Sequence, residues 1–321
     1  MSDAPAARTP HTANRHRHGL MHVVMLVATF AWAANIIAGK VVLRSISPFA
    51  LAQFRVTVSA VIFLLIYVLV RGLPRLRATP RELGYLAVTA LFGITLNQLL
   101  FIGGIGRTSA AHAGLIVALA PVMVLILSCA MRLEPLTWLK VAGTAVSFVG
   151  VAILTTGKAS GGAATTWLGD AILLAGSGVF AYYTILVKEV ADKYDTLTLN
   201  TIIFVIGSLW MFPLHGWSAF QTDWRALPAQ AWWGIAFIIL FGTLTAYLAY
   251  AFALTELTAS RVAAFSYLQP VIAAALGLWL LAEKVTLPVI IGGGLILLGV
   301  YLSERERGEE KIPSEAVGAG S

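Results

Sequence analysis

LFGITLNQLLF at residues 91–101 returns as LFGTLTAYLAY at residues 240–250. A shift of 149 residues aligns the two stretches without a gap, and the same shift pairs Pro121 with Pro270. It also pairs a boundary glutamate and two spaced glycines, namely Glu134 with Glu283, Gly143 with Gly292 and Gly150 with Gly299. Apolar residues align easily by chance, but a proline, a glutamate and two glycines rarely share one register. The pattern therefore indicates an internal duplication.

The duplication extends toward the N-terminus. AWAANIIAGK at residues 31–40 matches VFAYYTILVK at residues 179–188 after a shift of 148, with lysine on lysine. Ala31-Trp32-Ala33 also fits the cleavage site of a signal peptide. Because the segment has a partner in the second half, we interpret it as the first membrane helix and not as a removable leader.

The composition is that of a protein surrounded by lipid. Hydrophobic residues make up 59% of the chain and charged residues 12%, and the mean hydropathy is +0.84. A soluble domain carries about twice that share of charge. Apolar runs of about 18 residues or more are typical of membrane-spanning helices. The runs predict ten helices in an all-α integral membrane protein, at 20–40, 48–70, 82–102, 109–131, 136–155, 167–188, 196–214, 230–252, 258–281 and 285–303.

The predicted helices divide into two sets of five. The first repeat covers residues 20–156 and the second covers 167–303, with a glycine-rich linker at 157–166. Residues 1–19 are polar and basic and predict a disordered cytoplasmic tail, and residues 304–321 predict a second cytoplasmic tail.

The distribution of basic residues predicts the orientation. With the N-terminus in the cytoplasm, fifteen Lys and Arg fall on the cytoplasmic side and six on the other side. This bias explains the net charge of +7 better than nucleic-acid binding does, and it favours both termini inside. Because five is odd, the second repeat enters the membrane from the opposite side, so the repeats are inverted. Inverted repeats around a central mid-bilayer cavity are typical of secondary transporters.

The ends of the two halves resemble a known family. The second helix reads SPFALAQFR (47–55), and the halves end in LEPLTWLKVAGTAVSFVGVAIL (133–154) and AEKVTLPVIIGGGLILLGVYL (282–302). This pattern resembles the EamA branch of the drug/metabolite transporter superfamily, over about residues 20–303. The resemblance implies a bacterial inner-membrane exporter or permease for amino acids, amphipathic metabolites or drugs. It also implies a central cavity lined by helices 1, 3, 4, 6, 8 and 9.

Two prolines and three basic side chains are candidates for movement or charge recognition. Pro121 and Pro270 lie in helices 4 and 9, where each removes a backbone N–H and bends the helix; this predicts either a hinge or a static packing bend. Arg55 is the deepest charge; it either binds a substrate carboxylate or, as we favour, extends to the interface. His112 and Arg261 are counterparts in the repeat; each either attracts an anionic group or, as we favour, anchors a helix end, and His112 is also the candidate for a titrating switch.

Polar and aromatic side chains at helical spacing predict the cavity wall. Pairs three or four residues apart share one helix face. The candidates are Trp32, Asn35, Asn97, Phe101, Tyr182, Tyr183, Tyr247, Tyr250, Ser266 and Gln269. Polar side chains also tie membrane helices together, so a purely structural role stays open for each one. Amide and hydroxyl groups beside aromatic rings suit an amphipathic zwitterion, through hydrogen bonds, stacking and cation–π contact.

We therefore predict a secondary transporter that lies in the lipid bilayer and exports small molecules, namely amino acids or related amphipathic metabolites. The alternatives are drug efflux, an intramembrane enzyme and a channel. Neither a catalytic Ser–His or Asp–Asp pair nor a metal or cofactor motif is evident, and the single cysteine, Cys129, excludes an intrachain disulfide. The sequence is compatible with a monomer or a homodimer.

Overall fold

The computed structural model describes residues 10–72, 79–131, 137–155, 167–256, 262, 265–282 and 284–305. Within these ranges all regular secondary structure is helical. The helices in chain order are α1 (Pro10–Val42), α2 (Pro48–Arg71), α3 (Pro80–Ile105), α4 (Ala110–Ala130), α5 (Trp138–Thr155), α6 (Trp167–Val190), α7 (Thr196–Gln221), α8 (229–256), α9 (Gln269–Leu281) and α10 (Leu287–Arg305). Short 3-10 turns at Trp224–Ala226 and Phe265–Leu268 precede α8 and α9.

Among the residues that the structure describes, seven helices are long and apolar enough to cross a membrane: α1, α2, α3, α4, α6, α7 and α8. Helices α5, α9 and α10 contain shorter apolar stretches, Trp138–Ile153, Gln269–Leu281 and Leu287–Gly299. The seven spans support a multi-pass membrane protein, and the crossing of all ten helices stays a prediction.

The helix starts follow local capping chemistry. Ser47 accepts a hydrogen bond from the Ala50 N–H at the start of α2, and Ser109 accepts one from the His112 N–H at the start of α4. Thr79 and Glu82 form a reciprocal capping box on α3, and Asp195 caps α7. Such side chains satisfy backbone donors that the first helical turn leaves unpaired.

Helix α1 begins earlier than the sequence predicts. Residues 10–19, which the sequence assigns to the disordered tail, are helical, with Pro10 in the first turn where its missing N–H costs nothing. Residues 1–9 lie outside the described part, as do residues 306–321 of the predicted C-terminal tail. The predicted linker at 157–166, Glu134, Glu283 and Arg261 also lie outside it.

Helices α5 and α10 pack at near backbone contact. A Cβ atom at Gly150 would lie 2.7 Å from the Gly292 carbonyl oxygen, and one at Gly299 would overlap the Gly143 carbonyl oxygen. The two contacts are reciprocal, because the shift of 149 converts each one into the other. The four repeated glycines thus let two helices approach closely, as small residues do in membrane interfaces.

Helices α3 and α8 each contain a π-helical turn, at Leu91–Leu96 and Leu240–Thr245. The shift of 149 residues places these two turns at equivalent positions. A π turn is wider than an α-helical turn, so it interrupts the regular pattern of backbone hydrogen bonds. A Cβ atom at Gly93 would overlap the Tyr183 ring of α6, and one at Gly242 would lie 2.6 Å from the Asn35 Oδ1 of α1. The π turns therefore bring α6 against α3 and α1 against α8.

Large apolar side chains cover the outside of the bundle. Leu69, Trp138 and Trp279 are among the most exposed, at 80% or more. Exposed apolar surface on this scale would be a liability in water, but it suits contact with lipid. The interior contains the buried polar groups described below.

Candidate functional site

A cavity lies between helices of both halves of the chain. It encloses roughly 640 Å³, counting the part that opens to the surroundings. Its walls come from α1, α2, α3, α4, α6, α8 and the region of α9. The lining residues are Trp32, Asn35, Arg55, Asn97, Gln98, Phe101, Val117, Ala120, Leu173, Gly176, Ser177, Phe180, Tyr247, Ser266 and Gln269.

Most of the predicted cavity residues meet at this place. Seven of the ten line it, namely Trp32, Asn35, Asn97, Phe101, Tyr247, Ser266 and Gln269. Tyr183 and Tyr250 are buried behind the lining residues, and the Tyr182 ring packs edge-on against Phe92, 4.8 Å between centroids. The contact of any of these residues with a substrate stays a prediction.

Aromatic rings form one side of the cavity. The Trp32 ring lies 5.8 Å from Phe180, 6.0 Å from Tyr247 and 5.2 Å from Tyr250, measured between centroids. The Tyr183 ring lies 5.6 Å from Phe180. Edge-to-face and tilted geometries at these separations are favourable for aromatic pairs. The rings pack against one another and give this wall a largely apolar surface.

Arg55 lines the cavity, and the predicted extension of its side chain to the interface is wrong. The residue is only 1% exposed. Its Nε donates to Thr243 Oγ1 at 2.7 Å, and its Nη2 donates to the Gly242 carbonyl at 3.1 Å. Both acceptors belong to the π turn of α8. Because this turn supplies acceptors inside the bundle, the guanidinium has no need to reach the interface.

Uncharged polar groups form a hydrogen-bonded chain that meets the aromatic rings at Tyr247. Gln98 Nε2 donates to the Tyr247 hydroxyl at 2.9 Å, and that hydroxyl lies 3.5 Å from Asn97 Oδ1. Asn97 Nδ2 in turn donates to the Gly176 carbonyl at 3.4 Å. Gln98 was not among the predicted residues, although it precedes Phe101 by three positions and so shares its helix face.

Three polar atoms of the lining residues have no partner within the described structure. They are Asn35 Oδ1, Gln98 Oε1 and Arg55 Nη1. A buried polar atom without a partner costs free energy, about 1–3 kcal/mol for a neutral group. The residues of the cavity wall therefore contain one cationic donor and two neutral acceptors whose hydrogen-bonding capacity is unused.

Both predicted prolines lie where a helix is interrupted. In α4, two turn residues separate Ala110–Val117 from Ala120–Ala130, and Pro121 lies in the first turn of the second part. In the second half, the 3-10 turn Phe265–Leu268 leads into α9, where Pro270 occupies the first turn. Val117 and Ser266, one turn before the prolines, both line the cavity. The interruptions adjoin the cavity, and their movement stays a prediction.

His112 belongs to a buried polar cluster at one end of the bundle. Its Nδ1 lies 3.0 Å from Asp170 Oδ2, and both side chains are at most 3% exposed. Thr108 Oγ1 donates to Asp170 Oδ1 at 2.5 Å, and Lys40 Nζ donates to the Thr108 carbonyl. The cluster joins α1, α4 and α6. This contact supports the interpretation that His112 anchors a helix end. Asp170 was not predicted from the sequence as its partner.

A second cluster lies at the other end of α6. Lys188 Nζ donates to the Leu254 carbonyl at 2.8 Å, and Tyr85 OH donates to Glu189 Oε2 at 2.7 Å. Lys193 donates to Glu82, and this hydrogen bond raises the pKa of the Lys193 ammonium. The two clusters hold α6 to its neighbours at both ends of the cavity.

The described residues include no group of three or more His, Cys, Asp or Glu side chains able to hold a metal ion. The polar atoms that face the cavity are amide, hydroxyl and guanidinium groups. Such groups bind and orient small organic molecules by hydrogen bonds.

Comparison with known proteins places the chain among transporters. The EamA-like transporter family matches it twice, over residues 19–156 and 167–305. An uncharacterized transporter of Archaeoglobus fulgidus is 30% identical over 89% of this chain and 98% of its own length. A probable terminal-alkyne amino-acid exporter of Streptantibioticus cattleyicolor is 26% identical over 88% of this chain and 92% of its own length.

The fold also has a counterpart among solved structures. A protein crystal structure superposes with a TM-score of 0.62 at 17% identity, covering 91% of this chain and 99% of the other. That likeness concerns the fold alone. The family match spans both halves of the sequence and agrees with its apolar helices. The chain is therefore a multi-pass membrane protein that belongs to the EamA-like transporter family.

Proposed function

We propose that this protein is a secondary transporter that exports small amphipathic metabolites, amino acids or related compounds, across a bacterial inner membrane by alternating access. The observation that carries the proposal is the cavity between the two halves, with its aromatic side and its unpaired polar atoms. Transporter sites lie between structural repeats, where a relative movement of the repeats changes the side from which the site is reached.

The contacts between the halves support two inverted five-helix repeats and ten crossings. Gly93 packs against Tyr183, and Gly242 packs against Asn35. Shifts of 149 and 148 residues convert the first pair into the second. Gln98 and Tyr247, which hydrogen-bond to each other, are also equivalent positions. Contacts that exchange in this way are those expected around a pseudo-two-fold axis.

The lysines of the two repeats support the same symmetry. Lys40 donates to the Thr108 carbonyl, beyond the end of α3, and Lys188 donates to the Leu254 carbonyl, near the end of α8. In the inverted arrangement these two bonds lie on opposite sides of the membrane. With both termini in the cytoplasm, Lys40 lies on the far side and Lys188 on the cytoplasmic side.

The residues that line the cavity and the name of one related protein support the proposed substrate class. The Streptantibioticus cattleyicolor relative carries the name of a probable amino-acid exporter. Amino acids combine polar ends with an apolar side chain, and this cavity combines polar atoms with a wall of aromatic rings. Efflux of other amphipathic compounds is the alternative within the same mechanism.

Counterflow in proteoliposomes tests the proposed function. We expect liposomes preloaded with an unlabelled substrate to take up the labelled compound transiently above equilibrium, with saturable kinetics. Protein-free liposomes are the control. A channel would equilibrate the label without this overshoot, and an enzyme would change its chemical form. If no amino acid and no amphipathic metabolite in a broad panel shows counterflow, the proposal is wrong.

The proline interruptions give a prediction about movement. Pro121→Ala and Pro270→Ala each restore a backbone N–H, so the interrupted segments are able to form continuous helix. We expect each variant to slow counterflow by about tenfold while it still binds substrate, because hinge positions limit conformational steps. Pro213→Ala is a matched control, since Pro213 lies inside α7 and does not line the cavity. Wild-type rates in both hinge variants would mean that the interruptions serve packing only.

A further inference from the structure

Arg55 is a buried cation without a counterion in the described structure. The residue is 1% exposed, and its hydrogen bonds go to a hydroxyl and a carbonyl, both neutral. The buried carboxylate of Asp170 is already engaged by His112 and Thr108. Taking a charge out of water is costly unless an opposite charge compensates for it. An ionisable residue held inside a membrane bundle therefore points to a ligand of opposite charge.

The two hydrogen bonds of Arg55 leave one edge of its guanidinium without a partner. A guanidinium has five N–H donors arranged around a plane. The bonds from Nε to Thr243 and from Nη2 to Gly242 use the edge that faces α8. Nη1 has no partner, and Nη2 retains a second N–H. Two parallel N–H groups on this edge match the two oxygens of a carboxylate.

Two acceptors lie in the same cavity. Asn35 Oδ1 and Gln98 Oε1 are buried without partners. Asn35 Oδ1 packs against Gly242, the residue whose carbonyl accepts from Arg55. The donor and one acceptor therefore meet at the same π turn. Carboxamide oxygens are suited to accept hydrogen bonds from an ammonium group, which has only donors.

We propose that Arg55 binds the carboxylate of the transported molecule and that Asn35 and Gln98 accept hydrogen bonds from its ammonium group. The proposal rests on the transport function proposed above and narrows its substrate class to α-amino acids and similar zwitterions. The aromatic side of the cavity receives the apolar side chain. A cation without a carboxylate leaves Arg55 uncompensated and is repelled by it, so lipophilic amines are poor substrates.

Ligand-induced thermal stabilisation of the purified full chain measures this selectivity. The probes are the best-binding standard amino acid from a screen, its methyl ester and its decarboxylated amine. We expect the ester and the amine to bind at least about tenfold more weakly than the amino acid, because each lacks a charge-assisted partner for Arg55. If none of the standard amino acids binds, or if the amine binds as well as the acid, the proposal is wrong.

Two variants assign the preference to Arg55. In Arg55→Gln we expect the amino acid to lose about tenfold or more in affinity while the amine loses little. Arg71→Gln is the control, because Arg71 lies outside the cavity in an exposed pair with Asp195. Asn35→Asp is nearly isosteric and places a carboxylate at the π turn that holds Arg55, where it competes with the substrate carboxylate and attracts an ammonium group. The preference for the amino acid over its amine should therefore fall by at least about tenfold.

These outcomes separate the inference from the proposed function. Arg55-dependent binding of amino acids without any counterflow would contradict the transport function but would still support carboxylate binding by Arg55. Suppose that counterflow occurs and that both Arg55→Gln and Asn35→Asp keep the wild-type preference for the acid over the amine. This result would overturn carboxylate binding by Arg55 and leave the transport function supported. The Asn35→Asp variant keeps the test informative if Arg55→Gln fails to fold.

Discussion

Asp170→Ala is expected to lower the free energy of unfolding by about 3 kcal/mol, because it breaks a buried polar pair from one side. The substitution removes both oxygens that engage His112 and Thr108, and these side chains are 3% and 0% exposed. Water has no ready access to replace the lost partners, so each is left with an unpaired polar atom. Denaturant-induced or thermal unfolding of the purified protein in one detergent measures the loss.

Two further substitutions make this prediction specific. Asp170→Asn keeps the shape and an oxygen that accepts from Thr108, so we expect a loss of about 1 kcal/mol. Asp223→Ala is the control at an exposed position, where Asp223 only accepts from the Arg225 N–H, and should change stability by about 0.5–1 kcal/mol. An Asp170→Ala protein as stable as Asp223→Ala would show that the cluster does not hold α1, α4 and α6 together.

Gly93→Ala is expected to have the second large effect, through one added methyl group. Its Cβ would overlap the Tyr183 ring, and even the Cγ atom of that ring would be only 2.6 Å away. The ring is 1% exposed and packs against Phe180 and Tyr247, so it has little room to retreat. Overpacking of this kind costs about 1–3 kcal/mol. Because Tyr247 and Phe180 line the cavity, we also expect substrate affinity to fall.

The same helix supplies the control for Gly93. A Cβ atom at Gly84 in α3 would meet nothing within 4 Å, so Gly84→Ala should stabilise the helix by about 0.5–1 kcal/mol. The double variant Gly93→Ala/Tyr183→Ala removes the ring that the new methyl group would overlap. Its loss in free energy of unfolding should therefore be smaller than the sum of the losses in the two single variants. A Gly93→Ala protein that matches Gly84→Ala in both stability and substrate affinity would contradict the close contact between α3 and α6.

The cavity site was largely predictable because its residues follow helical spacing. Trp32 and Asn35 on α1, and Asn97 and Phe101 on α3, share helix faces by their separation alone, and all four line the cavity. Tyr182 and Tyr183 show the limit of that reasoning. Adjacent residues point in different directions from a helix, and the pattern does not say which direction faces the cavity. In the fold one ring is buried behind the cavity wall and the other pairs with Phe92.

Charged groups were less predictable, because their cost depends on what surrounds them. Extension of Arg55 toward the interface was the favoured expectation when only its position in a helix was known. The π turn at Leu240–Thr245 lies far from Arg55 in sequence but supplies two hydrogen-bond acceptors to its guanidinium. The Arg55 side chain therefore stays inside the bundle. Asp170 was not among the predicted site residues, and the fold gives it His112, 58 positions away, as a buried partner.

The sequence by itself determined the helical class, the membrane environment, the duplication and the family resemblance. These depend on local hydropathy and on register, which are properties of consecutive residues. Only the tertiary structure decided which polar atoms remain without a partner, where a glycine is required by a neighbouring ring and which charge lies in the cavity. Such features depend on contacts between segments about 60 to 190 residues apart along the chain. A buried hydrogen bond or a steric contact forms only where packing brings two segments together, and hydropathy carries no record of that pairing.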